Sequence, residues 1–378
     1  MRVAFYSPLA STAEPEASGD RRQVLALVST LRAQGHELEV ISEYRTELFW
    51  RRAAAWRLPP ALWAARRRTR AFRPDAWLTF GTQCDAPDVM GALLTAGRGI
   101  RYVIYKSPFS GTTYSDLRRS AGNLRSLWAA LPGWALHRVA LRRADWVVAD
   151  KLADFEDYQQ LPSVRQKLGL LWPAVPLAQF RPDEAKRAQI RQTLGVAGDT
   201  AVLLSVGRLW DERGRNETSL RFLIDATEEL LGRGRRVRLV IVGEGASRPE
   251  IEAHASKLGP AVTFTGPVDY GELPAWYNGA DVFAYPGLRE LVGTVYLEAQ
   301  ACGVPVVAFA HGGIPAVVKD GETGFLVAPM DQPAFVQRLD QLVRDGELRR
   351  RLGGGGRAFV EEHHDPDVWA KTLAGLLA

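Results

Sequence analysis

The sequence predicts an α/β protein made of two parallel-sheet domains, and three observations carry that prediction. At 378 residues the chain is long enough to bury two hydrophobic cores. Short apolar runs alternate with segments of helical periodicity over nearly its whole length. That alternation opens twice, at RVAFYS (2–7) and again at AVLLSVGR (201–208), and the proline-rich stretch LGLLWPAVPLAQFRP (168–182) lies between. We place a domain boundary in that stretch, with domains over 1–175 and 176–355.

Composition narrows the class. Charged residues make up 24% and hydrophobic residues 46%, as in ordinary globular proteins. No run of 18 apolar residues is present, so no transmembrane helix is expected. The opening MRVAFYSPLA lacks a basic segment followed by a long apolar one, so no signal peptide is expected. Cys84 and Cys302 stand far apart in no ligand pattern, which fits a reducing compartment and argues against zinc. Charge is uneven: residues 1–180 carry 25 Lys/Arg against 16 Asp/Glu, while the whole chain is only +5. The first half therefore suits an anionic partner.

In chain order, RVAFYS reads as a buried strand. Ser18-Gly19-Asp20 precede a helix over 21–34, whose Val24, Leu27, Val28 and Leu31 recur at helical spacing. Gly35-His36 is a turn, and ELEVIS (37–42) the next strand. Residues 45–74 then hold nine Arg against the single acid Glu47, interleaved with Trp50, Trp56 and Trp63, with Pro59-Pro60 splitting two helical pieces. Two readings stand level: an anionic membrane surface, with Trp at the headgroups and Arg on phosphates, or a solvated basic face whose Trp residues belong to the core. No nucleic-acid-binding motif is present, and none is expected as a partner.

DAWLTFG (75–81), RYVIYKS (101–107) and WVVAD (146–150) continue a parallel sheet, with a polar loop over 110–125 and a helix over 128–143. In the second half a helix over 183–194 precedes AVLLSVGR. VRLVIVGEG (237–245), a helix over 248–258, AVTFTGPV (261–268) and DVFAYPG (281–287) follow. Next come a helix bearing Glu298, which stops at Cys302-Gly303, and the strand PVVAFA (305–310). A last strand at 324–327 and helices over 332–344 and 347–360 close the domain. No internal repeat of solenoid type is apparent.

The stretch from Tyr285 to Gly313 carries the chemistry. Loops after parallel strands open on one edge of the sheet, where open α/β folds bind ligands. Glu290 and Glu298 are eight positions apart, with Gly293 between them at a helix start. A helix start favours a phosphate. A carboxylate a turn or more inside can accept from both hydroxyls of a ribose, and one on the preceding loop can reach a sugar hydroxyl. Two isolated glutamates so spaced are ordinarily surface charges; here the surroundings decide.

This stretch resembles the E-x7-E element of the retaining GT-B glycosyltransferases, glycosyl transferases group 1 (family GT4). The match runs through Pro286-Gly287, Glu290, Gly293, Glu298-Ala299, Ala301-Cys302-Gly303, Pro305-Val306-Val307 and Gly312-Gly313-Ile314-Pro315. It departs at Val292, where Phe is usual, and at Ala316, where Glu is usual. Gly207-Arg208-Leu209 with Glu212-Arg213-Gly214 resemble the family's G-R-L-x-x-E-K-G element. Phe180 and Pro182 match its interdomain crossing. The opening strand-helix-strand unit resembles the family's first, with the glycine-rich loop reduced to Ser18-Gly19.

The resemblance implies two Rossmann-like domains facing across a cleft, the first for the acceptor and the second for the nucleotide sugar. Residues 356–378 would cross back to the first domain, anchored by Trp369 and Leu373. The implied reaction is hexosyl transfer with retention, from a UDP- or GDP-sugar to a glycan, lipid-linked or small-molecule acceptor, as in polysaccharide biosynthesis. The departing diphosphate takes the acceptor's proton, and no covalent nucleophile is needed. Arg208 and Arg213 would stabilise that diphosphate and Glu290 the sugar; Arg213 replaces the usual Lys with a planar fork. Donor contacts would come also from Gly19, Gly207, Gly266, Pro267, Val268, Leu291, Val292, Gly293, Thr294 and Glu298. No metal is implied, since the one D-x-D, Asp365-Pro366-Asp367, reads as a coincidental turn. The acceptor-side His of many relatives is absent from YKSPFSG, where Lys106 is the nearest polar residue. The implied location is cytoplasmic, on the inner face of a membrane if 45–74 meets lipid. Three rivals stay open: a GT-B sugar-nucleotide epimerase, a phosphorylase-type enzyme or synthase of the same superfamily, and a non-catalytic nucleotide-sugar-binding protein.

Overall fold

The computed structural model describes residues 1–9, 19–47, 55–108, 124–209, 215–288 and 293–378. The chain divides into two units, Met1–Trp172 with Asp367–Ala378, and Pro173–Pro366. In the first, strands β1 (Arg2–Tyr6), β2 (Glu37–Ser42), β3 (Ala76–Phe80), β4 (Arg101–Tyr105), β5 (Trp146–Ala149) and β6 (Leu168–Leu170) lie in the order β2-β1-β3-β4-β5-β6. All neighbours are parallel. In the second, β7 (Ala201–Val206), β8 (Val237–Val242), β9 (Val262–Gly266), β10 (Val282–Tyr285), β11 (Val306–Phe309) and β12 (Gly324–Val327) run in the order β12-β11-β10-β7-β8-β9, again parallel throughout.

The second sheet shows why its strands read as unbroken apolar runs. Successive side chains of a strand point to opposite faces, and helices cover both faces of a parallel sheet. Leu203, Leu239, Ile241, Val282 and Phe309 enter one core. Their neighbours Val202, Leu204, Val240, Val242, Phe283 and Ala308 enter the other.

Several expectations need correction. Pro59 and Pro60 do not split a helix; they sit at its first positions, in Leu58–Phe72, after a 3-10 turn at Ala55–Arg57. Proline suits that place because its missing N–H would have had no intrahelical partner there. Residues 48–54, with Trp50, lie outside the described residues, as does most of the expected 110–125 loop. Leu168–Leu170 is a strand, not linker: it adds β6 to the sheet edge beside β5. Among the described residues, six helices go beyond those expected: Val89–Leu94, Leu152–Gln159, Arg215–Gly232, Leu273–Gly279, Ile314–Val317 and the last, Pro366–Leu377.

The units part at Trp172/Pro173, three residues before the expected boundary, because His364 ties that segment into the second unit. Its Nδ1 pairs with the Pro173 carbonyl (2.9 Å) and its own carbonyl accepts from the Val175 amide (2.9 Å). Residues 356–366 also stay with the second unit, and only Asp367–Ala378 joins the first. Arg357 holds them there by donating to the Phe180 and Ala301 carbonyls at 2.8 and 2.7 Å.

Candidate functional site

In the second sheet the strand order reverses between β7 and β10, so the loops leaving their carboxyl ends diverge. A crevice at such a point is where open α/β sheets bind ligands. Gly207 and Arg208 leave β7 at this edge, and Gly266, Pro267 and Val268 stand at the end of β9. Gly293, Thr294 and Glu298 follow β10. The strand-end loops are tied by backbone bonds: Gly207 N–H to Val242 O (3.0 Å), Gly243 N–H to Gly266 O (2.9 Å) and Leu209 N–H to Glu244 O (3.0 Å). Arg208 is exposed. Arg213, Glu290, Leu291 and Val292 lie outside the described residues. Gly19 belongs to the first unit, where it opens the helix Gly19–Ala33 that follows β1.

The helix Thr294–Ala301 starts at Gly293, whose φ of +66° is left-handed, and among the described residues no side chain caps it. A Cβ on Gly293 would also stand 2.5 Å from the Tyr296 ring, so glycine is required on two counts. The amides of Thr294 and Val295 open the helix without intrahelical acceptors, which leaves partial positive charge at this edge. The helix is locked to its surroundings: the Tyr296 hydroxyl donates to Tyr285 O (3.0 Å) and Tyr285 in turn to Asn216 Oδ1 (3.3 Å). Asn216 Nδ2 donates to Arg208 O (3.0 Å), fixing the exit from β7.

Glu298 is 6% exposed. The Tyr277 hydroxyl donates to its Oε2 at 2.8 Å and the Tyr270 hydroxyl to its Oε1 at 3.3 Å. Burial first, then the Glu298 charge, pushes the Tyr277 phenol well above its ordinary pKa, so it remains a donor. Burial and the same carboxylate raise the Cys302 thiol to about 12, which leaves it unreactive. Sequence reasoning missed Asn216, Tyr270 and Tyr277.

A groove of about 630 Å³ lies at the opposite, amino edge of this sheet, lined in part by Arg187, Asp281, Arg349 and Arg357. Arg187 and Arg191 close on Asp281 at 2.6 and 2.9 Å, and Arg357 donates to carbonyls, so these three cations serve the fold. Among the described residues no group of three or more His, Cys, Asp or Glu is placed to hold a metal ion.

The family profile "Glycosyl transferases group 1" matches residues 200–345. The GDP-mannose-dependent alpha-(1-6)-phosphatidylinositol monomannoside mannosyltransferase of Mycolicibacterium smegmatis is 36% identical over 264 residues, covering 66% of this chain and 67% of that protein. The chain belongs to the group 1 glycosyl transferases. A D-inositol 3-phosphate glycosyltransferase of Xylanimonas cellulosilytica is also 36% identical, over 62% of this chain and 56% of the relative, so the chain spans little more than half of that protein. Among solved structures, Anabaena HepE in complex with UDP has a TM-score of 0.73 at 18% identity, covering 100% of this chain and 99% of that one. Sucrose-phosphate synthase from Thermosynechococcus elongatus has a TM-score of 0.71 at 21% identity, over 99% and 98% of the two chains. These likenesses show the GT-B fold.

Two features of this group 1 glycosyl transferase lie on its first unit. At the carboxyl edge of that sheet, Lys106 has a left-handed backbone, φ 60°, with Nζ 5.3 Å over the Phe80 ring. Ser107 beside it donates to Thr82 O (3.0 Å) and pairs with the Tyr158 hydroxyl (2.8 Å). Asp150, at the end of β5, is raised by burial against the pull of Lys151 and Lys106. The second feature is the helix Leu58–Phe72. It buries Ala65, Thr69 and Phe72, with Ala61 and Leu62 packed alongside. Trp63 is 66% exposed and Trp56, in the preceding turn, 67%. Arg66, Arg67 and Arg70 are exposed with them. The reading of these tryptophans as core is therefore wrong: the buried stripe is made of smaller residues. No helix among the described residues is long and apolar enough to cross a membrane.

Proposed function

We propose that this chain is a retaining glycosyltransferase that moves a sugar from a nucleoside-diphosphate sugar to a lipid-linked or glycan acceptor. The observation that carries the reading is the convergence, at the reversal point of the second sheet, of a cationic strand end, an uncapped helix start and a buried, tyrosine-held carboxylate. In this reading Glu298 accepts from the ribose hydroxyls. The amides at Gly293 and Thr294 meet the diphosphate together with Arg208 and Arg213, and Glu290 with Leu291 and Val292 lies along the sugar. Gly266, Pro267 and Val268 face the base.

The acceptor oxygen bonds to the anomeric carbon on the face from which the diphosphate oxygen leaves. The acceptor proton passes to that departing oxygen, giving glycoside and nucleoside diphosphate. Fixed positive groups at the leaving diphosphate lower the barrier because they need not reorganise as charge develops.

The Mycolicibacterium relative is named for GDP-mannose and a phosphatidylinositol mannoside, which supports a GDP-sugar and a lipid-linked acceptor here. The exposed Trp and Arg of Leu58–Phe72 support a site of action at an anionic membrane surface. The deciding experiment is calorimetric binding of GDP, UDP, ADP and dTDP without added metal, followed by the matching sugar nucleotides. Wild type should bind one nucleotide selectively, and Glu298→Ala should lose it. Equal binding by wild type and Glu298→Ala would remove the ribose reading, and no binding at all would remove the donor site.

A further inference from the structure

Glu298 can grip a ribose diol only if its carboxylate plane is fixed, and the structure shows what fixes it. A carboxylate on a flexible side chain rotates about its last bond. Here each oxygen already accepts from a phenol, Oε2 from Tyr277 and Oε1 from Tyr270. Neither phenol is itself loose. The Tyr277 ring is fully buried between Phe180 (6.0 Å) and Phe283 (5.7 Å). The Tyr270 ring lies against the same Phe180 (5.3 Å), and its backbone carbonyl accepts from Gln179 Nε2 (3.3 Å). The two bonds differ: that of Tyr277 is short and buried, that of Tyr270 longer and from a half-buried ring.

We infer that Tyr277 is a positioning residue that aims the Glu298 carboxylate at the vicinal diol of the donor ribose, with Tyr270 as its weaker, outer brace. The inference rests on the reading of Glu298 as the ribose acceptor. Each carboxylate oxygen has two in-plane lone pairs, so one can serve a tyrosine and the other a ribose hydroxyl. The pairing also neutralises part of the desolvation cost of a carboxylate that is nearly buried. Because the Tyr277 phenol stays protonated, the brace holds over the whole neutral range.

The test compares GDP and UDP with their 2′-deoxy counterparts, by calorimetry, in wild type, Tyr277→Phe and Tyr270→Phe. Wild type should prefer the ribonucleotide. Tyr277→Phe removes one oxygen and keeps the ring, so the fold should persist by circular dichroism. It should weaken the ribonucleotide about tenfold, the scale of one hydrogen bond to a charged group, and leave the 2′-deoxy nucleotide nearly unchanged. The preference itself should collapse, which general damage to the domain would not do. Tyr270→Phe should act in the same direction by less. A Tyr277→Phe protein that keeps the wild-type preference overturns the positioning role while leaving the ribose reading intact. A wild type that binds both nucleotides equally, or neither, overturns the ribose reading and this inference with it.

Discussion

His364 shows at the scale of one residue how the second unit senses acid. Burial, helped by the nearby His363 and Lys319 charges and opposed by the bond to Pro173 O, lowers its pKa to about 4. In the unfolded chain a histidine takes its proton near pH 6.5. Between those values the unfolded state binds the extra proton, so stability is fully present above about pH 6.5 and falls as pH drops toward 4. His364→Gln keeps a donor for Pro173 O and removes the titration. Its melting temperature should therefore change less steeply between pH 6.5 and 4 than that of wild type. Parallel curves would mean that His364 does not titrate on unfolding. At this scale the sequence was partly legible. Gly293 and Glu298 announce themselves by spacing along one short stretch. Tyr277 and Tyr270 do not, because they lie 21 and 28 positions from Glu298 and meet it only through the strand order.

At the scale of the element, the helix Leu58–Phe72 removes one part of the two readings that its composition left level, the placing of Trp56 and Trp63 in the core. Tryptophans among arginines look equally like core or surface until the buried stripe is known. That stripe was present in the sequence as Ala61, Ala65, Thr69 and Phe72, at three- and four-residue spacing, but small residues signal it weakly. With Trp56 and Trp63 outward, neutralising Arg66, Arg67 and Arg70 together to Gln should weaken binding to vesicles containing anionic lipid. At about 1 kcal/mol for each basic residue near such a surface, the loss should be about 100-fold. Binding to neutral vesicles should not change. Equal binding of variant and wild type to anionic vesicles would dismiss the membrane surface as a partner of this helix.

At the scale of the whole molecule, both sheets were legible because every central strand is buried on two faces and so reads as an apolar run. Their strand orders were not, since nothing local encodes which runs become neighbours. The first unit also depends on a distant stretch. Trp369 packs edge-on against Tyr105 (5.6 Å), donates from Nε1 to its hydroxyl (3.3 Å), and is followed inward by Leu373 and Leu377. Trp369→Ala should cost the first unit about 3–5 kcal/mol. Chemical denaturation should show an early transition shifted to lower denaturant while nucleotide binding by the second unit survives. A midpoint equal to wild type would show that the last helix contributes little to the first core.

That stitching has a consequence for biosynthesis. The ribosome delivers Met1–Trp172 first, yet the partner of Tyr105 emerges only after Pro173–Pro366 has been made. At about 5–20 residues per second the wait is on the order of ten to forty seconds. The nascent first unit spends that time with an open apolar flank, while the second unit can close on its own contiguous residues. The half of the protein that is translated first is thus the half whose last packing partner is translated last.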